Sequence, residues 1–88
     1  MKKKAQKWFI YMIKTKTNKI YTGITTDVER RFKQHKTGVG GAKFFRSNPP
    51  KKILYTKRYK NRSEASKEEY RIKQLTRKQK EELILQER

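Results

Sequence analysis

Cysteine is absent from the 88 residues, so the chain forms no disulfide and offers no thiolate to a metal or a substrate. Histidine occurs once, at His35, which argues against a zinc site built on imidazoles. No stretch approaches the roughly 20 apolar residues of a membrane span. The longest apolar run, Trp8 to Ile13, stops at Lys14. A lysine-rich start followed by that run has the outline of an export signal, but no small-residue cleavage site follows it, so a cytoplasmic location is expected. Hydrophobic residues reach only 32 % against 39 % charged, and mean hydropathy is −1.25. That balance approaches the range in which chains fail to collapse. Ten aromatic residues (one Trp, five Tyr, four Phe) and clear apolar alternation point instead to one small folded domain.

Acids are the other scarcity. Eight Asp and Glu stand against twenty-six Lys and Arg, a formal net charge of +18. Residues 1–63 hold nineteen of the bases and only Asp27 and Glu29 as acids, whereas residues 64–88 hold seven bases and six acids. The excess therefore lies on the first two-thirds of the chain. A polyanion is the partner such a field attracts, and nucleic acid is the commonest polyanion. A cationic surface kept for solubility, or one that meets anionic lipid or an acidic protein, is the competing explanation.

Two segments rich in aromatic and β-branched residues, Trp8–Lys14 and Lys19–Thr25, flank the polar turn Thr15-Lys16-Thr17-Asn18 and read as a hairpin. Phe9, Tyr11 and Ile13 share one face, and Trp8, Ile10 and Met12 the other. With both faces apolar, the sheet must be covered on both sides. Thr26-Asp27-Val28-Glu29 has the pattern of a capping box opening a helix to about Lys36. From Thr37 to Lys52 the pattern breaks at Gly38, Gly40 and Gly41 and ends at Pro49-Pro50, so a mobile loop is expected. Ile53–Tyr59 alternates as a third strand. Asn61 or Ser63 caps a long helix to about Leu75, and Thr76-x-x-Gln79 opens a last helix anchored by Leu83 and Ile84. The order ββαβαα predicts an α+β domain over residues 8–86: a three-stranded antiparallel sheet with helices packed around it, preceded by a basic arm at residues 1–7.

Several chemistries drop out. Ser47, Ser63 and Ser66 have a single histidine to share and nothing to orient it. The glycine-rich segment lacks the Gly-Lys-Ser/Thr ending of a phosphate-binding loop. Clusters of His, Asp and Glu at metal-ligand spacing are missing. Tyrosines, arginines and an occasional glutamate remain.

Phe9-Ile10-Tyr11, with Tyr21-Thr22-Gly23 ten residues later, resembles the paired signature of the GIY-YIG nuclease superfamily. Glu29-Arg30-Arg31, Gln34-His35, Ser63-Glu64-Ala65 and Glu69-Tyr70-Arg71-Ile72-Lys73 resemble the downstream segments of its small single-domain bacterial members. Phe9 replaces the first glycine, Thr22 replaces the second isoleucine, and no residue matches the late asparagine of many members. The resemblance implies hydrolysis of a phosphodiester, DNA first and RNA second, with one Mg²⁺ or Mn²⁺. Tyr21 is then the general base, with Tyr11 holding the water or a phosphate oxygen. Arg31 stabilises phosphate charge, His35 contacts the same phosphate and Glu69 holds the metal. Gly23, Arg30, Lys43 and Arg46 are candidate nucleic-acid contacts. Two points stay open in the residues themselves. Tyr11 joins Tyr21 only if the hairpin pairs residues of equal parity, and Glu68 and Glu69 both flank the Ala65–Ile72 stripe. The competing functions are a basic DNA- or RNA-binding module on the same fold without catalysis, and a ribosome-associated basic protein. No membrane partner is expected, and mutual repulsion favours a monomer in the absence of nucleic acid.

Charge alone sets one measurable quantity. With about 5 phosphates neutralised on duplex DNA, log K should fall against log salt with a slope of roughly −4 to −5. A titration of affinity from low to moderate salt reads it directly, and a slope near zero would remove the electrostatic reading.

Overall fold

The computed structural model describes residues 7–86; apart from Lys7, the expected basic arm lies outside the described residues. The chain runs β1 (Trp8–Thr15), β2 (Ile20–Thr25), α1 (Val28–Thr37), α2 (Phe44–Ser47), β3 (Pro50–Tyr59), α3 (Arg62–Lys73) and α4 (Arg77–Gln86). The strands form one antiparallel sheet in the order β2-β1-β3, with β1 central. The predicted ββαβαα order holds, with the short α2 added inside the segment expected to be loop.

The hairpin turns where four polar residues succeed the apolar run. Asn18 takes φ 66°, a left-handed conformation that asparagine tolerates. The Thr15 amide donates to the Lys19 carbonyl at 2.9 Å, and the Lys19 amide donates to the Thr15 hydroxyl at 2.9 Å. The resulting register pairs Tyr11 with Gly23 and Ile13 with Tyr21, so residues of equal parity do face one another.

Both faces of β1 are buried, as the alternation requires. Ile10 and Met12 meet Tyr55, Ile72 and Ile84 beneath α3 and α4. Tyr11 and Ile13 meet Phe45 on the opposite side, with Val28, Phe32 and Phe44 packed around them. Two thin apolar layers either side of one strand are how a chain with few hydrophobic residues makes a core.

Three boundaries differ from expectation. Asp27, not Thr26, caps α1: its carboxylate accepts from the Arg30 amide at 3.0 Å, while the Thr25 hydroxyl accepts from the Asp27 amide at 3.1 Å. β3 begins at Pro50 rather than Ile53. A proline there costs no ladder bond that matters, because β3 is an edge strand and Pro50 is its first residue. Register shifts opposite Met12/Ile13 and Lys14/Thr15 leave Leu54 and Lys51 outside the pairing, so the ten residues of β3 run alongside the eight of β1. The segment from Thr37 to Lys52 is pinned rather than open. Phe45 is buried, the Thr17 hydroxyl donates to Asn48 Oδ1 at 2.7 Å, and Asn48 Nδ2 donates to the Phe44 carbonyl at 3.1 Å.

The remaining caps agree with the sequence. Asn61 accepts from the Glu64 amide at 2.9 Å to start α3. Thr76 and Gln79 form a reciprocal box: the Thr76 amide donates to Gln79 Oε1 at 2.9 Å, and the Gln79 amide to Thr76 Oγ1 at 3.2 Å. Since Asn61 fixes the start of the helix that carries Glu69, Asn61→Ala should cost about 1 kcal/mol in a urea melt and Asn61→Asp should retain most of it. Equal stability of all three would mean that packing alone sets the helix start.

Candidate active site

Equal-parity pairing puts Tyr11 and Tyr21 on one face of neighbouring strands, with ring centroids 6.2 Å apart. Tyr11 is only 2 % exposed in the middle of the sheet, whereas Tyr21 is half-buried on the edge strand. A Cβ on Gly23 would fall 2.5 Å from the Tyr11 hydroxyl oxygen and 2.7 Å from the ring carbon bearing it. The absent side chain at Gly23 is thus the space that Tyr11 occupies. The group that approaches the Gly23 backbone is therefore a protein side chain.

α1 lies across this face and supplies the other two residues. His35, in its last turn, is buried, and its Nε2 lies 2.9 Å from the Tyr11 hydroxyl. Its Nδ1 accepts from the Ala42 amide at 3.2 Å. Burial, and then the Arg31 charge, hold the imidazole down at about 4, so the ring is neutral at physiological pH. Arg31, one turn earlier, is half-buried and donates through Nη1 to Gln34 Oε1 at 3.0 Å and to the Gly40 carbonyl at 2.7 Å. The same guanidinium interacts with the Tyr11 hydroxyl. Burial first, and Tyr21 next, push the Tyr11 phenol well above its ordinary range, so Tyr11 keeps its proton at neutral pH.

Aromatic rings close the cluster on its far side. Phe45 lies 4.3 Å from His35 and 4.7 Å from Tyr21, and Phe44 lies 5.4 Å from Tyr21, centroid to centroid. The sequence alone assigned no role to this double phenylalanine. Its role as a wall beside Tyr21 depends on the short α2, which glycine spacing and proline signals concealed. Gln34 and Ala42 also enter the site with no sequence signal of their own.

Of the remaining candidates, Arg30 and Lys43 are exposed. Arg46 is exposed too and lines a cavity of about 170 Å³ with His35, Lys36, Gly41 and Phe45. Glu69 stands apart from the ring cluster. It lies on α3, between the inward-facing Ala65 and Ile72, with its side chain 22 % exposed and paired to Lys73 at 3.2 Å. Glu68 is bound to Arg71 by two bonds, at 2.7 and 2.8 Å, which hold its carboxyl below the usual range. Among the described residues no group of three His, Cys, Asp or Glu is placed to hold a metal ion.

The three-stranded sheet thus carries paired tyrosines on its first two strands, overlaid by an arginine and a histidine one helical turn apart. The model of the GIY-YIG catalytic domain matches residues 7–82, and the chain belongs to that family. It is 52 % identical over 77 residues to the UPF0213 protein YhbQ of Escherichia coli O127:H6, spanning 88 % of this chain and 76 % of the relative. The YhbQ protein of Escherichia coli K12 is 51 % identical over the same length. The solution NMR structure of the UPF0213 protein BH0048 from Bacillus halodurans matches with a TM-score of 0.57 and 38 % identity, over 89 % of this chain and 82 % of that one.

The neutral histidine has a consequence for stability. Its pKa falls from 6.5 in the unfolded chain to about 4 in the folded one, so the unfolded state binds more protons between those values. The contribution is fully present above pH 6.5 and is lost as pH falls toward 4, amounting to about 3 kcal/mol at about 1.4 kcal/mol per unit. Urea melts between pH 7 and 4 should show this loss in the parent and a shallower slope in His35→Phe. Parallel slopes would place the acid sensitivity elsewhere.

Proposed function

We propose that this chain is a metal-assisted endonuclease that hydrolyses DNA phosphodiester bonds with low sequence specificity. The observation that carries the reading is the shared face of Tyr11 and Tyr21 beneath His35 and Arg31 in a member of the GIY-YIG family. Phosphate binding alone calls for cations. It has no use for a buried tyrosine hydrogen-bonded to a neutral histidine.

Tyr21 is the general base. The oxygen of a water molecule bonds to phosphorus as the bond to the leaving oxygen breaks; the water's proton passes to Tyr21 acting in its phenolate form, and the leaving oxygen takes a proton from solvent. Tyr11, which retains its own proton, holds the attacking water or a phosphate oxygen by donating to it. Arg31 meets the charge that builds on the phosphate, where a guanidinium reaches two oxygens at once. His35 supports Tyr11 from behind. Arg30, Lys43 and Arg46 contact the backbone of the nucleic acid, and Gly23 keeps the Tyr11 ring seated beneath it.

Glu69 would hold the Mg²⁺ or Mn²⁺. One oxygen-donor carboxylate suits a hard cation that takes the rest of its shell from waters and the substrate phosphate. It does not suit a cation caged entirely by protein, which agrees with the lack of a three-ligand group among the described residues. When bound, the cation supplies charge neutralisation at the leaving oxygen. Because Lys73 pairs with Glu69 at 3.2 Å, it must turn away when the cation enters. The same pairing favours a second reading, a nucleic-acid-binding module in which Glu69 is an ordinary helix acid and no bond is cut.

Supercoiled plasmid incubated at low salt with Mg²⁺ or with EDTA separates the two. We expect Mg²⁺-dependent nicking, reduced by about 10²–10⁴-fold in Tyr21→Phe. Nicking should be abolished in Glu69→Gln, whose DNA affinity is unchanged or slightly higher. Unchanged cleavage by Glu69→Gln would remove that residue from the mechanism. A salt-sensitive mobility shift without nicking by the parent would make the binding module the better reading.

A further inference from the structure

We propose that the Gly41–Ala42 backbone is a positioning element of the tyrosine site: the Ala42 N–H fixes the tautomer of His35, and that tautomer makes Tyr11 a hydrogen-bond donor and leaves Tyr21 as the base. The functional half rests on the nuclease reading; the tautomer does not.

A backbone amide can only donate, so the nitrogen that receives the Ala42 N–H at 3.2 Å, Nδ1, carries its lone pair. In a neutral ring the proton then sits on Nε2, 2.9 Å from the Tyr11 oxygen. His35 therefore donates and Tyr11 accepts. The one proton of the Tyr11 hydroxyl is turned away from the imidazole and toward Tyr21 and Arg31, the other groups that interact with that hydroxyl. A guanidinium has no lone pair to receive it, so within the protein Tyr21 is its acceptor. The opposite tautomer would set two N–H groups against each other at Ala42, and its bare Nε2 would draw the Tyr11 proton and ready Tyr11 as a base. The direction of a chain of four groups is thus set at one amide.

Gly41 delivers that amide. A Cβ at this position would fall 2.6 Å from the Gln34 carbonyl oxygen and 2.9 Å from His35 Cα. Both are backbone atoms of α1 and cannot swing aside. The constraint at Gly41 is space, because the loop must press against the last turn of α1 for the Ala42 N–H to reach the ring. The Arg31 bond to the Gly40 carbonyl at 2.7 Å holds the same loop one residue earlier. The groups around His35 are Tyr11 from β1, Tyr21 from β2, Phe45 from α2 and Arg31 from its own helix, with Lys36 and Arg46 lining the same cavity. The charged ones, Arg31, Lys36 and Arg46, are all cationic and oppose an imidazolium.

With a single histidine, ¹⁵N-labelled protein gives one imidazole in a long-range ¹H–¹⁵N spectrum. We expect Nε2 protonated and Nδ1 bare from pH 5.5 to 8 in the parent; an Nδ1–H ring or a mixed population overturns the proposal. Gly41→Ala should give a mixed tautomer, a His35 midpoint raised by about one pH unit and a single-turnover nicking rate lowered about 10- to 100-fold, with DNA affinity within about twofold. Ala42→Pro, which deletes the N–H without adding a side chain at residue 41, should reproduce the spectrum of Gly41→Ala. Both variants keeping the parental tautomer and rate would also overturn the proposal. A parent that shows the expected tautomer yet never nicks DNA sinks the nuclease reading and leaves the lock standing.

Discussion

A tyrosine at the centre of a sheet, 2 % exposed, must find a partner for its hydroxyl, and most of the site depends on how Tyr11 does so. Its ring needs the room left by Gly23 on the neighbouring strand. Its oxygen needs His35, which ties the position of α1 to the sheet. His35, equally buried, needs a partner for its second nitrogen and takes the Ala42 amide, which ties the next loop to α1. Each demand is local, and each commits the next segment of chain. The consequence is a face on which Tyr11, His35 and the Ala42 amide satisfy one another's polar atoms.

The other face of the sheet does the work of stability. Ile10, Met12, Tyr55, Ile72 and Ile84 form an apolar layer beneath α3 and α4. In this layer the Thr22 hydroxyl is buried without a partner among the described residues. Leaving a hydroxyl unpaired there is unfavourable by about 1–3 kcal/mol. Thr22 stands where the family signature has isoleucine, a larger side chain with no hydroxyl to satisfy. The departure touches packing behind the site, on the opposite side of the strand from Tyr21.

What the sequence made legible divides along the same line. The hairpin, the third strand and the two later helices are encoded in alternation, turn residues and caps, and the reciprocal Thr76–Gln79 box forms as its spacing implies. Thr26 and Asp27 are both good capping residues one position apart, and choosing between them depends on the backbone after β2. Proline normally argues against a strand, so Pro50 hid the start of β3 until its edge position was known. At the site, Tyr11, Tyr21, Arg31 and His35 were legible as a pattern. Their meeting was not, because it depends on hairpin parity. Phe44, Phe45, Gly41 and Ala42 belong to a glycine-rich stretch whose order comes from tertiary bonds to Arg31, His35 and Thr17, and no local signal encodes those.

The acids explain why the charge of the chain points where it does. Glu64, Glu68, Glu69 and Glu81, on α3 and α4, each pair with a lysine or arginine three or four residues away. Such exposed pairs add little stability, yet they cancel charge on the helices that cover the apolar face. On the tyrosine side the balance is different. Asp27 is occupied in capping α1 and Glu29 is the one acid within it, while Arg30, Arg31, Lys33, Lys36, Lys43 and Arg46 come from α1 and the segment after it. A polyanion approaching the molecule is therefore drawn to the face that holds the tyrosines and less to the face that holds the core. Glu69, on α3, is likewise paired, with Lys73 at 3.2 Å. The attraction of a polyanion thus falls to residues other than the paired acids of α3 and α4.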